Sequence, residues 1–405
     1  MNPTSPTELS TAAPGAATIE EATFRTGKVS AVAAAHGVHD TYQAFLPPLL
    51  PLLIEKFSLI KTEAGLLSVF MTAPSLLQPF IGYLADRRSL RIFVILTPTI
   101  TALAMSLLGI APYYWLAAML LIIAGLSSAS LHATGPVLAG RLSANRLGLG
   151  MSFWMVGGEL GRTLGPIIIV SAVSTLGIQH TPWLAFGGVL VSLWMVVQLR
   201  HLPARHPESH NALPWKKALI TMRPVLIPLS IILITRALAF VSVSTYLPTF
   251  LTEEGANLML AGASLSVLEA AGVIGALLSG SLSDRIGRRP VMIFSLVSTS
   301  LFIFLLLNLH GWLQFPALLG LGFGLLSMTP VVMAIVQESF PENRALANGI
   351  YMAVSFVSSS FATLTVGAIG DLFSLRTAYW LSGVLVLAGL PFLFRLPGSR
   401  KTLKS

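Results

Sequence analysis

The chain has 405 residues, of which 54% are hydrophobic and only 10% are charged, and its mean hydropathy is +0.79. A soluble domain carries roughly 25% charged residues, so this composition predicts a membrane protein and excludes an ordinary soluble one. The net charge of +9 is distributed in short strings between apolar segments, which argues against a nucleic-acid-binding face. With no cysteine, the chain has no disulfide, thiolate metal site or cysteine nucleophile.

A membrane-spanning helix needs about 20 mostly apolar residues. Residues 1–28 do not meet this requirement and lack the pattern of a signal peptide, so we expect a disordered cytoplasmic tail. Twelve windows do meet it, namely 29–55, 62–85, 91–111, 114–140, 147–174, 181–199, 224–251, 258–283, 290–309, 312–337, 346–370 and 376–396.

The windows fall into two sets of six. The segment 201–223 holds three prolines and several charges and predicts a cytoplasmic linker. It separates an N-terminal six-helix bundle at 29–200 from a C-terminal six-helix bundle at 224–397, and a basic cytoplasmic tail follows at 398–405. The sequence therefore predicts an all-α membrane protein with twelve transmembrane helices in two halves.

The basic residues predict the orientation of these helices. Of the 25 lysines and arginines, 20 lie in the tails, the linker and alternate loops, whereas the opposite side has only Lys56, Lys61 and Arg376. Because lysine and arginine accumulate in cytoplasmic loops, we expect both termini to be cytoplasmic in a multi-pass protein of the inner membrane.

A charged string occurs once in each half, at the end of an apolar segment. The copies read Gly82-Tyr-Leu-Ala-Asp86-Arg87-Arg88-Ser-Leu-Arg91 and Gly280-Ser-Leu-Ser-Asp284-Arg285-Ile-Gly287-Arg288-Arg289. A repeat at half the chain length, within apolar sequence, predicts two fused copies of one membrane bundle.

Both strings resemble the signature Gly-x-x-x-Asp-Arg-x-Gly-Arg-Arg of the major facilitator superfamily of secondary transporters. The resemblance implies a major facilitator fold, a monomer, and a cytoplasmic gate formed by the residues that match. The alternative is that the strings serve only the positive-inside topology. The gate residues are Gly82, Asp86, Arg87, Arg91, Gly280, Asp284, Arg285, Arg288 and Arg289.

Three further runs resemble transporters of the fosmidomycin-resistance type. They are Ala35-His36-Gly-Val-His39-Asp40-Thr-Tyr-Gln43, Ser127-Ser128 with Leu131-His132, and Gly157-Gly158-Glu-Leu-Gly161-Arg-Thr-Leu-Gly165-Pro166. The last run also resembles the Gly-x-x-x-Gly-Pro motif of proton-coupled drug antiporters. It departs from that branch at Ile168-Ile169, where two glycines are expected, and the fourth-helix arginine of many antiporters is missing.

Five formal charges lie within the predicted membrane helices: Asp40, Glu159, Arg162, Arg236 and Glu269. Each costs several kcal/mol to bury unless it is paired or reaches water, so such residues are candidates for function. We expect proton coupling to use Asp40, Glu159, Glu269 and His36. A guanidinium binds carboxylate or phosphonate oxygens through two hydrogen bonds. We therefore assign substrate binding to Arg162 and Arg236, helped by Gln43, His132, Trp154 and Tyr246.

Structural alternatives exist for these residues. Glu159 and Arg162 are three positions apart and can form a stabilising salt bridge, and Arg236 can pair with Glu269. His132 and the aromatic residues can serve packing alone. His36, His39 and Asp40 have the residue types of a metal site, but these positions do not share one helix face, so no metal or other cofactor is expected.

These features predict a transporter. There is no phosphate-binding loop, no His-Glu-x-x-His motif and no soluble domain for an active site, so an enzyme is not expected. A channel fits two gated halves less well than alternating access does, and a scaffold would not retain buried charges. We expect proton-coupled efflux of a small compound or drug, with an anionic compound favoured by the two arginines. The alternative is proton-symport uptake of a small organic anion, such as a carboxylate or a sugar acid.

Overall fold

The computed structural model describes residues 24–78, 80–81, 90–143, 147–200, 215–339 and 344–396, and within these ranges it contains helices but no strand. The first half has α1 (Thr26–Gln43), α2 (Leu46–Phe57), α3 (Lys61–Thr72), α4 (Leu90–Leu107), α5 (Tyr114–Leu142), α6 (Leu147–Leu176) and α7 (Ala185–Leu199). The second half has α8 (Trp215–Ser244), α9 (Leu247–Glu253), α10 (Leu258–Ile286), α11 (Arg288–Asn308), α12 (Gln314–Leu326), α13 (Met328–Ser339), α14 (Arg344–Leu372), α15 (Leu375–Leu385) and α16 (Leu390–Leu393). Short 3₁₀ segments follow several of these helices.

In the described part of the chain, ten helical segments are long and apolar enough to cross a membrane. Each of them overlaps one of the ten predicted windows from 91–111 onward. Many of their leucine, isoleucine and phenylalanine side chains point outward and are exposed, as expected for a surface that faces lipid. The chain is therefore a multi-pass, all-helical membrane protein.

The prediction of one continuous helix over the first window, 29–55, is wrong, because the structure has two helices there, α1 and α2. Proline lacks a backbone N–H and fits best in the first turn of a helix, and Pro47 occupies that turn of α2. The corresponding window of the second half, 224–251, is divided in the same way into α8 and α9, with Pro248 in the first turn of α9. In the second window, α3 changes to a 3₁₀ segment at Ala73–Leu77.

Helix α8 begins at Trp215, within the segment predicted as a linker, and α1 begins at Thr26, within the predicted tail. Both helices start with charged residues that the apolar windows left out, and such residues extend a membrane helix beyond the hydrocarbon. The prolines Pro224 and Pro228 lie inside α8 without ending it. The remainder of the linker and of both tails lies outside the described residues.

Each half has its own hydrophobic core. One large cluster of buried side chains extends from Met222 to Leu396 and belongs to the second half. Two smaller clusters, from Tyr42 to Val170 and from Val29 to Leu199, belong to the first half. The halves meet where α3 packs against α14, α6 against α10 and α2 against α9.

Candidate substrate and proton site

The helices α1 and α6 cross at close range because glycines line their contact. A Cβ atom added at Gly157 would lie 2.2 Å from the carbonyl oxygen of Ala33, and one at Gly161 would lie 2.1 Å from that of Gly37. Such distances leave no room for any side chain, so the glycine run of α6 serves close helix packing. This crossing places the polar residues of both helices next to each other.

Asp40 lies in a cluster with two histidines. Its Oδ2 is 3.3 Å from Nε2 of His36, one turn earlier on α1, and its Oδ1 is 3.9 Å from Nε2 of His132 on α5. The His36 ring stacks on Trp154 with 3.7 Å between ring centroids, and its Nδ1 lies 2.9 Å from the Trp154 carbonyl oxygen. The structure thus brings together four of the predicted site residues.

The ring of His39 contacts that of His132, with 5.9 Å between centroids, but its hydrogen bond leads away from the cluster. Its Nδ1 lies 2.9 Å from Thr101 Oγ1, which donates a hydrogen bond to Ser127 Oγ at 2.8 Å. Ser127 in turn donates to the carbonyl oxygen of Thr97. His39 is fully buried, so it belongs to a polar network that joins α1, α4 and α5 inside the first half.

Arg162 and Glu159 form an ion pair on α6, as the structural alternative predicted. The Arg162 side chain nevertheless remains 40% exposed, against 19% for Glu159, so the guanidinium is open on one side. Arg162 also interacts electrostatically with Glu269 of α10, which belongs to the other half, and with Asp40. Arg162 of the first half and Glu269 of the second half therefore interact across the interface.

Glu269 has a different surrounding. It is half-buried, and among the described residues it makes no hydrogen bond or ion pair within 4.0 Å. Its electrostatic neighbours are Arg162, which attracts it, and Glu159, which repels it. A carboxylate in this position is able to exchange a proton or accept a hydrogen bond from a ligand.

Arg236 does not pair with Glu269, so the predicted alternative of an ion pair between them is wrong. The guanidinium donates to the carbonyl oxygen of Leu325 at 2.5 Å and lies over the Phe240 ring, 5.3 Å from its centroid. Its Nε is buried and has no hydrogen-bond partner among the described residues. Tyr351 of α14 is its electrostatic neighbour. Arg236 therefore still has donor capacity.

Two predicted substrate residues have structural partners. Gln43 donates to the carbonyl oxygen of Ala124 at 3.0 Å and thereby joins α1 to α5. Tyr246 is fully buried, and its hydroxyl contacts the carbonyl oxygens of Lys61 at 3.1 Å and Thr363 at 3.0 Å. Tyr246 thus lies in the contact between the halves and does not line a cavity.

That contact is built around the first turn of α3, and we call it the Lys61 end of the molecule. Asp371 of α14 accepts hydrogen bonds from the backbone N–H groups of Lys61 at 2.6 Å and Thr62 at 2.9 Å, and from Thr62 Oγ1 at 2.6 Å. The Lys61 ammonium also pairs with Glu253 at 3.0 Å. Asp371 therefore caps a helix of the other half, where N–H groups lack partners and the helix dipole is positive.

Hydrogen bonds of Lys61, Thr62 and Tyr246 join the two halves at the Lys61 end. The other end carries the second charged string. There, Arg288 pairs with Asp284 at 2.7 Å and with Glu338 at 2.5 Å, both within the second half. Arg285 is exposed, and a Cβ added at Gly280 would meet nothing within 4 Å. Gly82, Asp86 and Arg87 of the first string lie outside the described residues.

Arg91 and Arg289, which close the two strings, occupy equivalent positions. Arg91 donates to the carbonyl oxygens of Leu199 at 3.1 Å and Arg200 at 2.7 Å, at the end of α7. Arg289 donates to the carbonyl oxygens of Phe394 and Leu396 at the end of the second half. In each half, an arginine at the start of the third membrane helix thus caps the carboxyl end of the last one.

Comparison with known proteins gives consistent matches. The sequence profile of the Major Facilitator Superfamily matches residues 32–284 and 269–405. The fosmidomycin resistance protein of Escherichia coli (strain K12) is 26% identical over 397 residues, which are 95% of this chain and 96% of that protein. The multidrug resistance protein MdtG of Escherichia coli (strain 55989 / EAEC) is 22% identical over 286 residues, 68% of this chain and 69% of that protein.

Solved structures share the fold. The inward open conformation of the xylose transporter XylE from E. coli superposes with a TM-score of 0.73 at 16% identity, over 93% of this chain and 97% of that one.

Proposed function

Because the chain belongs to the major facilitator superfamily, and is thus a membrane transporter of small molecules and not an enzyme, we propose that it is a proton-coupled exporter. It works by alternating access in the inner membrane, with twelve spans and both termini in the cytoplasm. Its substrate is a small compound or drug with an acidic group and a hydrogen-bond donor. Fosmidomycin resistance and multidrug resistance in the names of its relatives support the direction of transport.

The observation that carries this proposal is the arrangement of Arg162, Glu159 and Glu269 across the interface of the halves. Arg162 retains an open side next to its ion pair with Glu159, so it is able to bind an anionic group. Glu269 approaches from the opposite half without a bonded partner among the described residues. A substrate bound between them would touch both halves, as alternating access requires.

Antiport follows from competition at Glu269. The ionised carboxylate accepts a charge-assisted hydrogen bond from the substrate, whereas the protonated carboxyl is uncharged and a weaker acceptor. Binding a proton therefore lowers the affinity for substrate, and by linkage the substrate releases the proton. Asp40 and His36, which the sequence also assigned to proton coupling, already have partners within the first half. We therefore assign the coupling to Glu269, with Glu159 as its neighbour.

The closed Lys61 end supports a cavity that opens at the opposite end. With the orientation predicted by the basic residues, that opening faces the cytoplasm, and an exporter collects its substrate from there. Opening the Lys61 end requires breaking the Asp371 cap, so the transport cycle includes the loss of these hydrogen bonds.

The Arg162–Glu159 ion pair favours a second candidate, uptake of a small organic anion by proton symport. A protonated Glu159 would release Arg162 for the anion, and substrate and proton would then bind together. The two candidates differ in the sign of one measurable flux.

The test uses purified protein in liposomes that contain an internal pH dye. Small carboxylates, phosphonates, amphoteric drugs and cationic drugs are added outside in turn, with no pH gradient. Antiport predicts that a transported compound drives protons out, so the interior becomes alkaline, while symport predicts acidification. Arg162→Ala should abolish either signal, and His180→Ala, at an exposed position outside the site, should not. Protein that remains monodisperse but moves no protons with any compound of the panel would contradict proton coupling.

A further inference from the structure

Three side chains of the first half converge on one point from two helices. They are His36 and Asp40 of α1 and His132 of α5. The Nε2 atoms of the two histidines are 3.3 Å apart, and Asp40 Oδ2 is also 3.3 Å from Nε2 of His36. One ligand atom from each of the three residues lies within 4.8 Å of the others. Two imidazoles and a carboxylate form the ligand set of many zinc sites.

The second nitrogen of each histidine fixes the tautomer. Nδ1 of His36 lies 2.9 Å from the carbonyl oxygen of Trp154, and Nδ1 of His132 lies 3.0 Å from that of Ser128. A carbonyl oxygen only accepts hydrogen bonds, so each Nδ1 carries the hydrogen. In the neutral rings both Nε2 atoms are then bare acceptors that face each other and a carboxylate. Histidine ligands of metals have this arrangement, with the second N–H donated to a backbone carbonyl.

The spacing also fits. Bonds of about 2.0–2.1 Å to a tetrahedral metal separate neighbouring ligand atoms by about 3.3 Å. Two of the three separations have this value, that between the two Nε2 atoms and that between Nε2 of His36 and Asp40 Oδ2, whereas Asp40 Oδ1 lies 3.9 Å from Nε2 of His132. The His132 side chain is 33% exposed, whereas His36 and Asp40 are 6% and 11% exposed, so the cluster opens on the His132 side. A water molecule has access there as a fourth ligand.

We propose that the chain binds one divalent metal ion of the zinc class at His36, Asp40 and His132. The sequence alone predicted no metal, because its third ligand would have been His39, which does not share a helix face with His36 and Asp40. His39 instead bonds Thr101 through its Nδ1, and His132 from another helix takes the place of the third ligand. Since all three ligands belong to the first half, the ion remains bound when the halves move against each other.

The test is a titration of the purified, full-length protein without a polyhistidine tag. Cobalt(II) is the probe, because its tetrahedral complexes absorb visible light strongly, and zinc(II) should then displace it. We expect saturation at one ion per chain. His132→Ala should weaken binding by more than the roughly 10- to 100-fold that loss of an outer partner costs. His180→Ala, an exposed histidine outside the cluster, is the matched control and should leave binding unchanged.

Two results would overturn the proposal. One is wild-type protein that elutes as a single folded species and yet gives no cobalt spectrum, which would mean that the cluster holds only protons. The other is a spectrum that His132→Ala and His36→Ala both leave intact. If His36→Ala fails to fold, the partly exposed His132 still decides the matter. The measurement needs neither a substrate nor a pH gradient, so its outcome is independent of the proposed transport.

Discussion

The Asp371 cap should determine how long the Lys61 end stays closed. Asp371 accepts three hydrogen bonds from Lys61 and Thr62 of the opposite half. Hydrogen bonds to charged groups contribute about 1.5–3 kcal/mol each. Asp371→Asn removes the charge and one of the two acceptor oxygens. We therefore expect the closed state to lose about 3 kcal/mol of stability relative to the open state. At 1.4 kcal/mol per factor of ten, the equilibrium between closed and open shifts roughly a hundredfold.

The distribution of distances between two spin labels reports this shift. The chain has no cysteine, so single cysteines at Gln179 and His310, exposed positions of the two halves near this end, give unique labels. Asp371→Asn should add a population with a longer label distance. The matched control is Glu253→Gln, which removes the Lys61–Glu253 pair. That pair is partly exposed, with side chains 22% and 44% accessible, so it contributes at most about 1 kcal/mol.

The reasoning would be refuted if Asp371→Asn left the distance distribution of the wild type unchanged. It would also be refuted if Glu253→Gln opened the molecule as far as Asp371→Asn, because a partly exposed ion pair would then equal three hydrogen bonds to a helix end.

Three further predictions concern packing and caps. Gly161→Ala should lower the thermal unfolding midpoint by several degrees, because the added Cβ would lie 2.1 Å from the Gly37 carbonyl oxygen and overpacking costs about 1–3 kcal/mol. The control Gly280→Ala, whose Cβ would meet nothing within 4 Å, should unfold at the wild-type midpoint. Arg289→Gln should also lower this midpoint, because it removes the hydrogen bonds to the carbonyl oxygens of Phe394 and Leu396. The control Arg285→Gln, at an exposed position, should leave the midpoint unchanged. Equal midpoints for the two variants would contradict the capping role. Tyr246→Phe should lengthen the label distance across the Lys61 end and leave substrate affinity unchanged, and weaker substrate binding without opening would favour the cavity role predicted from sequence.

Hydropathy predicted most of the fold, because a membrane helix is defined by its length and apolarity, which a single sequence shows. The breaks that separate α1 from α2 and α8 from α9 were not predicted, since proline is tolerated in membrane helices and its position alone does not indicate a break. The start of α8 at Trp215 was also not predicted, because the charged residues there resemble a linker although the chain is helical.

The site was predicted in part. Helical periodicity placed His36 and Asp40 on one face of α1, and the structure agrees. Which residue of another helix would meet them was not predictable, because contacts between helices depend on packing and not on spacing within one helix. The alternative in which Arg236 pairs with Glu269 was wrong for this reason, since Arg236 donates to a backbone carbonyl oxygen that no sequence pattern indicates. The Asp371 cap was missed because an acidic residue at the end of a predicted helix carries no sign of its partner in the other half.

The central claim is that Glu269 couples the movement of substrate to that of protons. The most direct test compares wild type and Glu269→Gln in liposomes with a radiolabelled substrate found in the proton-flux panel. We predict that Glu269→Gln still exchanges labelled for unlabelled substrate without a pH gradient but no longer accumulates it against its concentration when a gradient is imposed. Gradient-driven accumulation by Glu269→Gln at the wild-type level would contradict the account.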